Sequence, residues 1–499
     1  MFETILTALS NNLTIETILF ATAGVIVGII VGAIPGLTAT MTIAILIPFT
    51  YHMDMIPSLA MLLGVYNGGV YGGSISAILM SVPGTPAAVM TSLDGHPMAL
   101  RGEGGKAIGI ATCVSFLGGI FGCICLIFCC SALALVATKF SYPEYFVLTI
   151  FALIIIANSS GGTFAKGMIA AAFGVLVALV GTDVLTGYPR FTFGVTGLLS
   201  GISLIPCLIG LFGVSELLCQ IFDIGTVKKE KQKMGKVFPG FKLLWKLKGV
   251  ILRSAVIGTV IGALPGTGGT VGAFTAYNYE KNRAEDPSSF GKGNPAGVAA
   301  CETANNAAIG GALIPMLALA VPGDGVTAIL MGAFLLHGIN VGPSIFSTNP
   351  DIVYTVYIFE IFTNIGMLVF GLLAAKWFAK IIDIDDKVLI PVILLICMIG
   401  AYSATNNAIQ IFVMLVFGII GFIFKKTGIP ATASILGIVL GQLSEVNFRS
   451  AMAMSRNDIS VFFRPIPCIL WALAIIMLVS PHLKSYMKKR KAQKAAKAE

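Results

Sequence analysis

Four matched proline–glycine pairs, Pro35-Gly36, Pro83-Gly84, Pro265-Gly266 and Pro322-Gly323, interrupt stretches that are otherwise apolar enough to cross a membrane. A proline inside a helix removes a backbone hydrogen bond and clashes with the preceding turn, at a cost of roughly 3 kcal/mol. A helix broken in this way exposes backbone groups, and a half-helix that starts at the break points the positive end of its dipole at an anion. Polar residues stand beside the breaks: Thr38, Thr40, Thr85, Thr267, Thr270 and Asp324, with Asn67, Asn305 and Asn306 nearby, and Gly268 adds a backbone N–H. That chemistry suits an anionic ligand held by N–H groups, hydroxyls and amides. No Lys or Arg occurs from Gly293 to Ala375, so a co-bound cation is expected to help. Asp324 and Glu302 are the acidic candidates for holding it, because ionisable groups at membrane depth are costly and usually functional.

The breaks belong to an internal repeat. GIIVGAIPGLTAT at 28–40 aligns with GTVIGALPGTGGT at 258–270, matching Gly28, Gly32, Ala33, Pro35, Gly36 and Thr40 to Gly258, Gly262, Ala263, Pro265, Gly266 and Thr270. NGGVYGGSISAILMSVPG, from Asn67, aligns with NAAIGGALIPMLALAVPG, from Asn306, and the longer second spacing is absorbed by the hydrophilic stretch EKNRAEDPSSFGKGNP. Ser215-Glu216 and Ser444-Glu445 extend the match weakly. The glycine stripes taken alone are read as close helix packing. Paired interruptions at corresponding points of two repeats are read as the midplane substrate site of a secondary transporter.

The elements that carry these residues are set by composition. The chain has 499 residues, 56% of them hydrophobic and 11% charged, which points to a polytopic membrane protein. With no water in the hydrocarbon, the fold is expected to be all-α: two inverted repeats of broken helices or re-entrant hairpins, with about eleven transmembrane helices (roughly ten to twelve). The expected boundaries are a first membrane repeat at 1–225, a basic linker at 226–249, a second repeat at 250–464, an extra helix at 465–483 and a basic tail at 484–499. Lys228, Lys229, Lys231, Lys233, Lys236, Lys242, Lys246 and Lys248 crowd the linker, and lysines crowd the tail from Lys484 to Lys497. Both are expected in the cytoplasm, beside anionic lipid and not nucleic acid. Residues 1–100 contain no Lys or Arg, which leaves the N-terminus to face outward, and the first apolar stretch lacks the flanks of a cleaved signal.

Several activities find no residues to carry them. The histidines, His52, His96, His337 and His482, are scattered, and the ten cysteines form no C-x-x-C, so no metal site or disulfide framework is expected. GEGGKAIG at 102–109 lacks the first Walker glycine and the hydroxyl after Lys106, and no GxSxG or HExxH occurs. The chain is therefore expected not to be an enzyme and to need no cofactor beyond a coupling ion, Na+ or H+. A channel or a stand-alone carrier is the alternative.

In order along the chain, GAIPGLTAT, YNGGVYGGSISAILMSVPGTPAA, LDGHPMALRGEGGKAIG, YPRFTFGVTGLLSGISLIPCLIGLFGVSEL, GALPGTGGT, ETANNAAIGGALIPMLALAVPGDG and LGIVLGQLSEVNFRSAM resemble the large membrane subunit of the tripartite tricarboxylate transporter family. The resemblance implies ion-coupled import of di- or tricarboxylates across the bacterial inner membrane. It also implies two partners, a small four-helix membrane subunit and a periplasmic solute-binding protein.

Overall fold

The computed structural model describes residues 10, 12–137, 140–159, 163–183, 186–223, 235–375, 377, 386–403, 406–476 and 478. The linker lysines before residue 235, the basic tail and His482 lie outside the described residues.

The fold is helical. Among the described residues the strands are the two-residue pieces Gly181–Thr182 and Pro189–Arg190, paired antiparallel. Among the described residues six helices are long and apolar enough to cross a bilayer, including Ile15–Ala33 (α1), Leu204–Phe222, Pro350–Leu373 and Ile409–Thr427; six shorter apolar helices accompany them. Two further long helices, Met55–Met80 and Pro295–Leu319, have 26 and 25 residues and are rich in Gly, Ala and polar side chains, yet they are buried almost throughout. These elements make an all-α, multi-pass membrane protein.

The chain forms two compact units, one from Met1–Thr138 with Ser203–Lys425, the other from Lys139–Ile202 with Lys426–Glu499. In the larger unit α1 lies along α3 (Met55–Met80). Side chains at Gly24, Gly28 and Gly32 would collide with the backbones of Met61, Val65 and Gly69, so these glycines set the approach of the helices. The contacts advance in step, so α1 and α3 run parallel. Between them α2 (Ala39–Thr50) must lead the chain back to the head of α3, and α1–α2 is a helical hairpin with Pro35-Gly36 at its tip.

Beyond α4 (Ala88–Met98) and α5 (Gly104–Ala137), the helices Tyr142–Ser159 (α6), Phe164–Ala178 (α7), Leu204–Phe222 (α8) and Phe241–Lys246 (α9) lead to the second half, which repeats the arrangement. A side chain at Gly258 or Gly262 of α10 (Lys248–Gly262) would collide with Ala304 or Ala308 of α12 (Pro295–Leu319), again in parallel register. The returning limb α11 (Gly268–Arg283) is tied at the mouth of its hairpin: Arg253 Nε and Nη2 donate to Glu280 Oε1 and Oε2, both at 2.7 Å. Asn294 caps α12 and Pro295 fills its first position, where a missing N–H costs nothing.

α3 and α12 end alike. Ser81 (φ 58°) and Ala320 (φ 56°) turn left-handed, and the chain doubles back. Gly84 N donates to Gly73 O at 3.4 Å, and a Cβ on Gly323 would press on Ala312 and, at 2.8 Å, on Gly262 O. Short helices α4 (Ala88–Met98) and α13 (Gly325–Leu336) follow. The halves then cross over. α5 (Gly104–Ala137) runs parallel to α12, with Gly118 and Gly122 against Thr303 and Ala307, and α14 (Pro350–Leu373) runs with α3, pairing Asn67 with Glu360 and Tyr71 with Gly371. α5 and α14 are antiparallel, since Gly119 meets Asn364 while Cys123 meets Tyr357.

In the smaller unit, Gly174 of the helix Phe164–Ala178 packs on Ser434 and Gly437 of the helix Ala431–Met454. Its loop is held by an ion network in which Arg190 and Arg449 both reach Glu445, at 2.6 and 2.7 Å, and Arg449 reaches Asp183 at 2.9 Å.

Candidate transport site

Each hairpin tip takes a conformation that favours glycine. Gly36 and Gly266 have φ of 83° and 79°, and Pro35 and Pro265 precede them. Thr38 caps α2 by accepting Met41 N at 3.2 Å, and Thr40 stands half-buried in the first turn, whose free N–H groups point back toward the break. A Cβ on Gly36 would run into the amide of Gln220, with Glu216 Oε1 at 3.3 Å. Gln220 Nε2 is buried and unpartnered, and Glu216 forms an ion pair with Lys425. Facing the first break are therefore a helix N-terminus, a free amide donor and a neutralised carboxylate.

In the second half the two breaks touch directly: Gly266 N donates to Gly323 O at 2.8 Å. Thr267 closes the C-terminus of α10 by donating to Ile261 O and Leu264 O. Gly268 (φ 59°) starts α11, leaving 3.2 Å between its absent Cβ position and Asp324 Cβ. Asn305 lies against Gly269, with its Nδ2 buried and unpartnered. Pro322 and Gly323 are buried, and Asp324 caps α13: Oδ1 accepts Thr327 N at 2.8 Å, and Oδ2 accepts Tyr66 Oη at 2.6 Å. Tyr66 thus connects α3 of the first half to the break of the second. In the first half Pro83 and Gly84 fold onto α1 and α3, where a Cβ on Gly84 would collide with Gly32 O, and Thr85 Oγ1 is buried without a partner.

The remaining sequence candidates fall into two buried polar clusters in place of the break loops. Glu302 accepts Thr91 Oγ1 and, at 3.2 Å, Ser115 Oγ; Asn306 Nδ2 donates to that same Ser115 at 2.7 Å. Asn67 Nδ2 donates to Glu360 Oε2 and to Thr363 Oγ1, both at 3.1 Å. Glu360 was not foreseen. Its signal in the sequence is a lone acid in the apolar run IVYTVYIFEIFTNIG, with Thr363 and Asn364 following at helical spacing on the same face. Asp94 was also missed as a bonding centre: its Oδ1 accepts Gly291 N, Gly293 N and Asn294 N at 2.9, 2.8 and 2.7 Å, and Oδ2 accepts Tyr277 Oη at 2.9 Å. Among the described residues no three His, Cys, Asp or Glu side chains gather as a metal site.

The family model described as "Tripartite tricarboxylate transporter TctA family" matches residues 18–436, which include all four breaks, Glu302 and Glu360. An "uncharacterized 52.8 kDa protein in TAR-I ttuC' 3'region" of Agrobacterium vitis is 34% identical over 490 residues, covering 98% of this chain and 96% of the relative. A second Agrobacterium vitis protein, from the TAR-II ttuC' 3' region, is 35% identical over 234 residues, covering 47% of this chain and 97% of its own length. No solved structure matches. This chain belongs to the TctA family of tripartite tricarboxylate transporters.

Proposed function

We propose that this chain is the translocating subunit of a binding-protein-dependent importer of di- or tricarboxylates in the bacterial inner membrane, driven by a gradient of Na+ or H+. It works with a small four-helix membrane subunit and a periplasmic solute-binding protein that delivers the substrate. The family supports the class of activity. The observation that carries the site is the matched geometry of the breaks, with Gly36 and Gly266 left-handed at hairpin tips and Ser81 and Ala320 left-handed ahead of the returning loops.

In this reading the hairpin tips are re-entrant and the halves are inverted repeats, supported by the opposite runs of α3 with α14 and α12 with α5. A carboxylate is held at the first turns of α2 and α11, where uncommitted backbone N–H groups and the dipole favour negative charge. Gln220 and Asn305 each offer a buried, unpartnered amide donor beside those turns. The glycines admit the ligand close to the backbone. Uptake of radiolabelled citrate and smaller dicarboxylates by vesicles holding the reconstituted complex tests the proposal. Uptake is expected to saturate, to require the binding protein and to collapse without an ion gradient. Equal uptake by the purified chain alone would refute the tripartite mechanism.

A further inference from the structure

We propose that Glu360, Asn67, Thr363 and Asn364 form a Na+ site where α3, α5 and α14 cross. All four residues are fully buried, at 0% exposure. Asn67 Nδ2 donates to Glu360 Oε2 at 3.1 Å, and Asn364 Nδ2 lies 3.4 Å from Oε1 and donates to Glu360 O at 2.8 Å. The other head of each amide, Asn67 Oδ1 and Asn364 Oδ1, has no hydrogen-bond partner although both are buried. Each orphan oxygen is bonded to the same carbon as a nitrogen already beside Glu360, so half a turn of the amide brings it to the carboxylate. Glu360 forms no ion pair with a basic side chain among those of the described residues.

A buried carboxylate with no cationic partner is expensive, and so is a buried amide oxygen with no donor. One cation relieves both. It would be met by the Glu360 carboxylate, two amide oxygens and Thr363 Oγ1, an all-oxygen set that suits a hard ion and offers nothing to a thiophilic or imidazole-seeking metal. Gly119 of α5 makes room for this arrangement, because a side chain there would collide with the Asn364 head. The site also has a mechanical neighbour: Tyr66, adjacent to Asn67 on α3, donates to Asp324 at the second-half break. Cation ligation and the substrate-side contact therefore sit on consecutive residues of one helix. For the use to which the cation is put, the proposal rests on the ion-driven transport reading.

The test uses the purified full chain in detergent, with NaCl exchanged for choline chloride at constant ionic strength, and reads the thermal unfolding midpoint. A ligand that binds only the folded state raises the midpoint saturably. The wild type is expected to show such a rise with Na+. Glu360→Gln is expected to abolish it or move half-saturation at least about tenfold, and Asp351→Asn, at an exposed acid in the first turn of the same helix, to leave it in place. Should Glu360→Gln fold poorly, Asn364→Ala carries the same expectation. A wild type indifferent to Na+, or full retention of the shift in both site variants, overturns the proposal. Gradient-driven uptake by the reconstituted complex separates the two readings. Na+-driven uptake with a shift insensitive to these variants means the site lies elsewhere while ion coupling stands. A Glu360-dependent shift with uptake indifferent to every ion gradient keeps the cation site and removes ion coupling.

Discussion

Gly36 and Gly84 belong to the same repeated motif but respond differently to a methyl group. At Gly36 the obstacle is conformational: φ is 83°, and an L-residue there pays about 1–2 kcal/mol, while the nearest atom, the Gln220 amide, sits at the end of a flexible side chain. Gly36→Ala is thus expected to leave folded protein in the membrane and to lower uptake per folded molecule at least tenfold, read by radiolabelled uptake normalised to monodisperse protein. At Gly84 the obstacles are backbone, Gly32 O and Gly73 Cα, and neither can move aside. Gly84→Ala is expected to cost about 3 kcal/mol or more and to appear as lost folded yield. Asp94→Ala is expected to be similarly severe, because three N–H groups of the loop before α12 lose their acceptor at roughly 1–3 kcal/mol each. Thermal unfolding of the detergent-purified variant measures it. The breaks were legible in the sequence because Pro and Gly dictate local backbone wherever they occur. Asp94 and Glu360 were not, because their meaning lies in partners such as Gly293 and Asn67 that only the tertiary fold brings alongside.

At the scale of elements, composition announced membrane helices but not their directions. Residues 250–266 read equally as a span or as one limb of a re-entrant hairpin, because both carry the same Gly and Ala stripe. What distinguishes them is register against a neighbour: Gly258 with Ala304 and Gly262 with Ala308 make α10 parallel to α12, so α11 must return between them. The Arg253–Glu280 fork then closes the mouth of the hairpin. Arg253→Cys combined with Glu280→Cys, in a background with the native cysteines replaced, is expected to cross-link with a short bifunctional reagent, read as a shift in peptide mass. Failure to cross-link, with each single cysteine reactive, would mean that α11 continues across instead of returning. The same crossing logic explains why the units do not follow the order of the chain: each half lends helices to the other's packing, and no local pattern records such an exchange.

For the whole molecule the question is whether the halves are inverted, and the helix directions lead to a specific test. α14 runs with α3, α5 runs against α14, and α12 runs with α5, so the heads of α3 and α12 open on opposite faces. Asp54 stands at the N-terminal boundary of α3, at the turn after the first hairpin, and Asp286 lies in the loop before α12 after the second; both are exposed. The lysine-rich linker is expected to assign the faces, since Lys242, Lys246 and Lys248 lead into α10 and basic loops favour the cytoplasm. With the exposed native Cys129 and Cys468 replaced by serine, Asp54→Cys is expected to react with a membrane-impermeant maleimide added to intact spheroplasts. Asp286→Cys is expected to react only after the membrane is opened. Reaction of both from the same face would end the inverted arrangement, and with it the argument that the two hairpins approach one substrate from opposite sides. A clean exchange of the two faces would keep the inversion and reverse only the orientation, which would mean that the linker lysines do not set the topology of this chain.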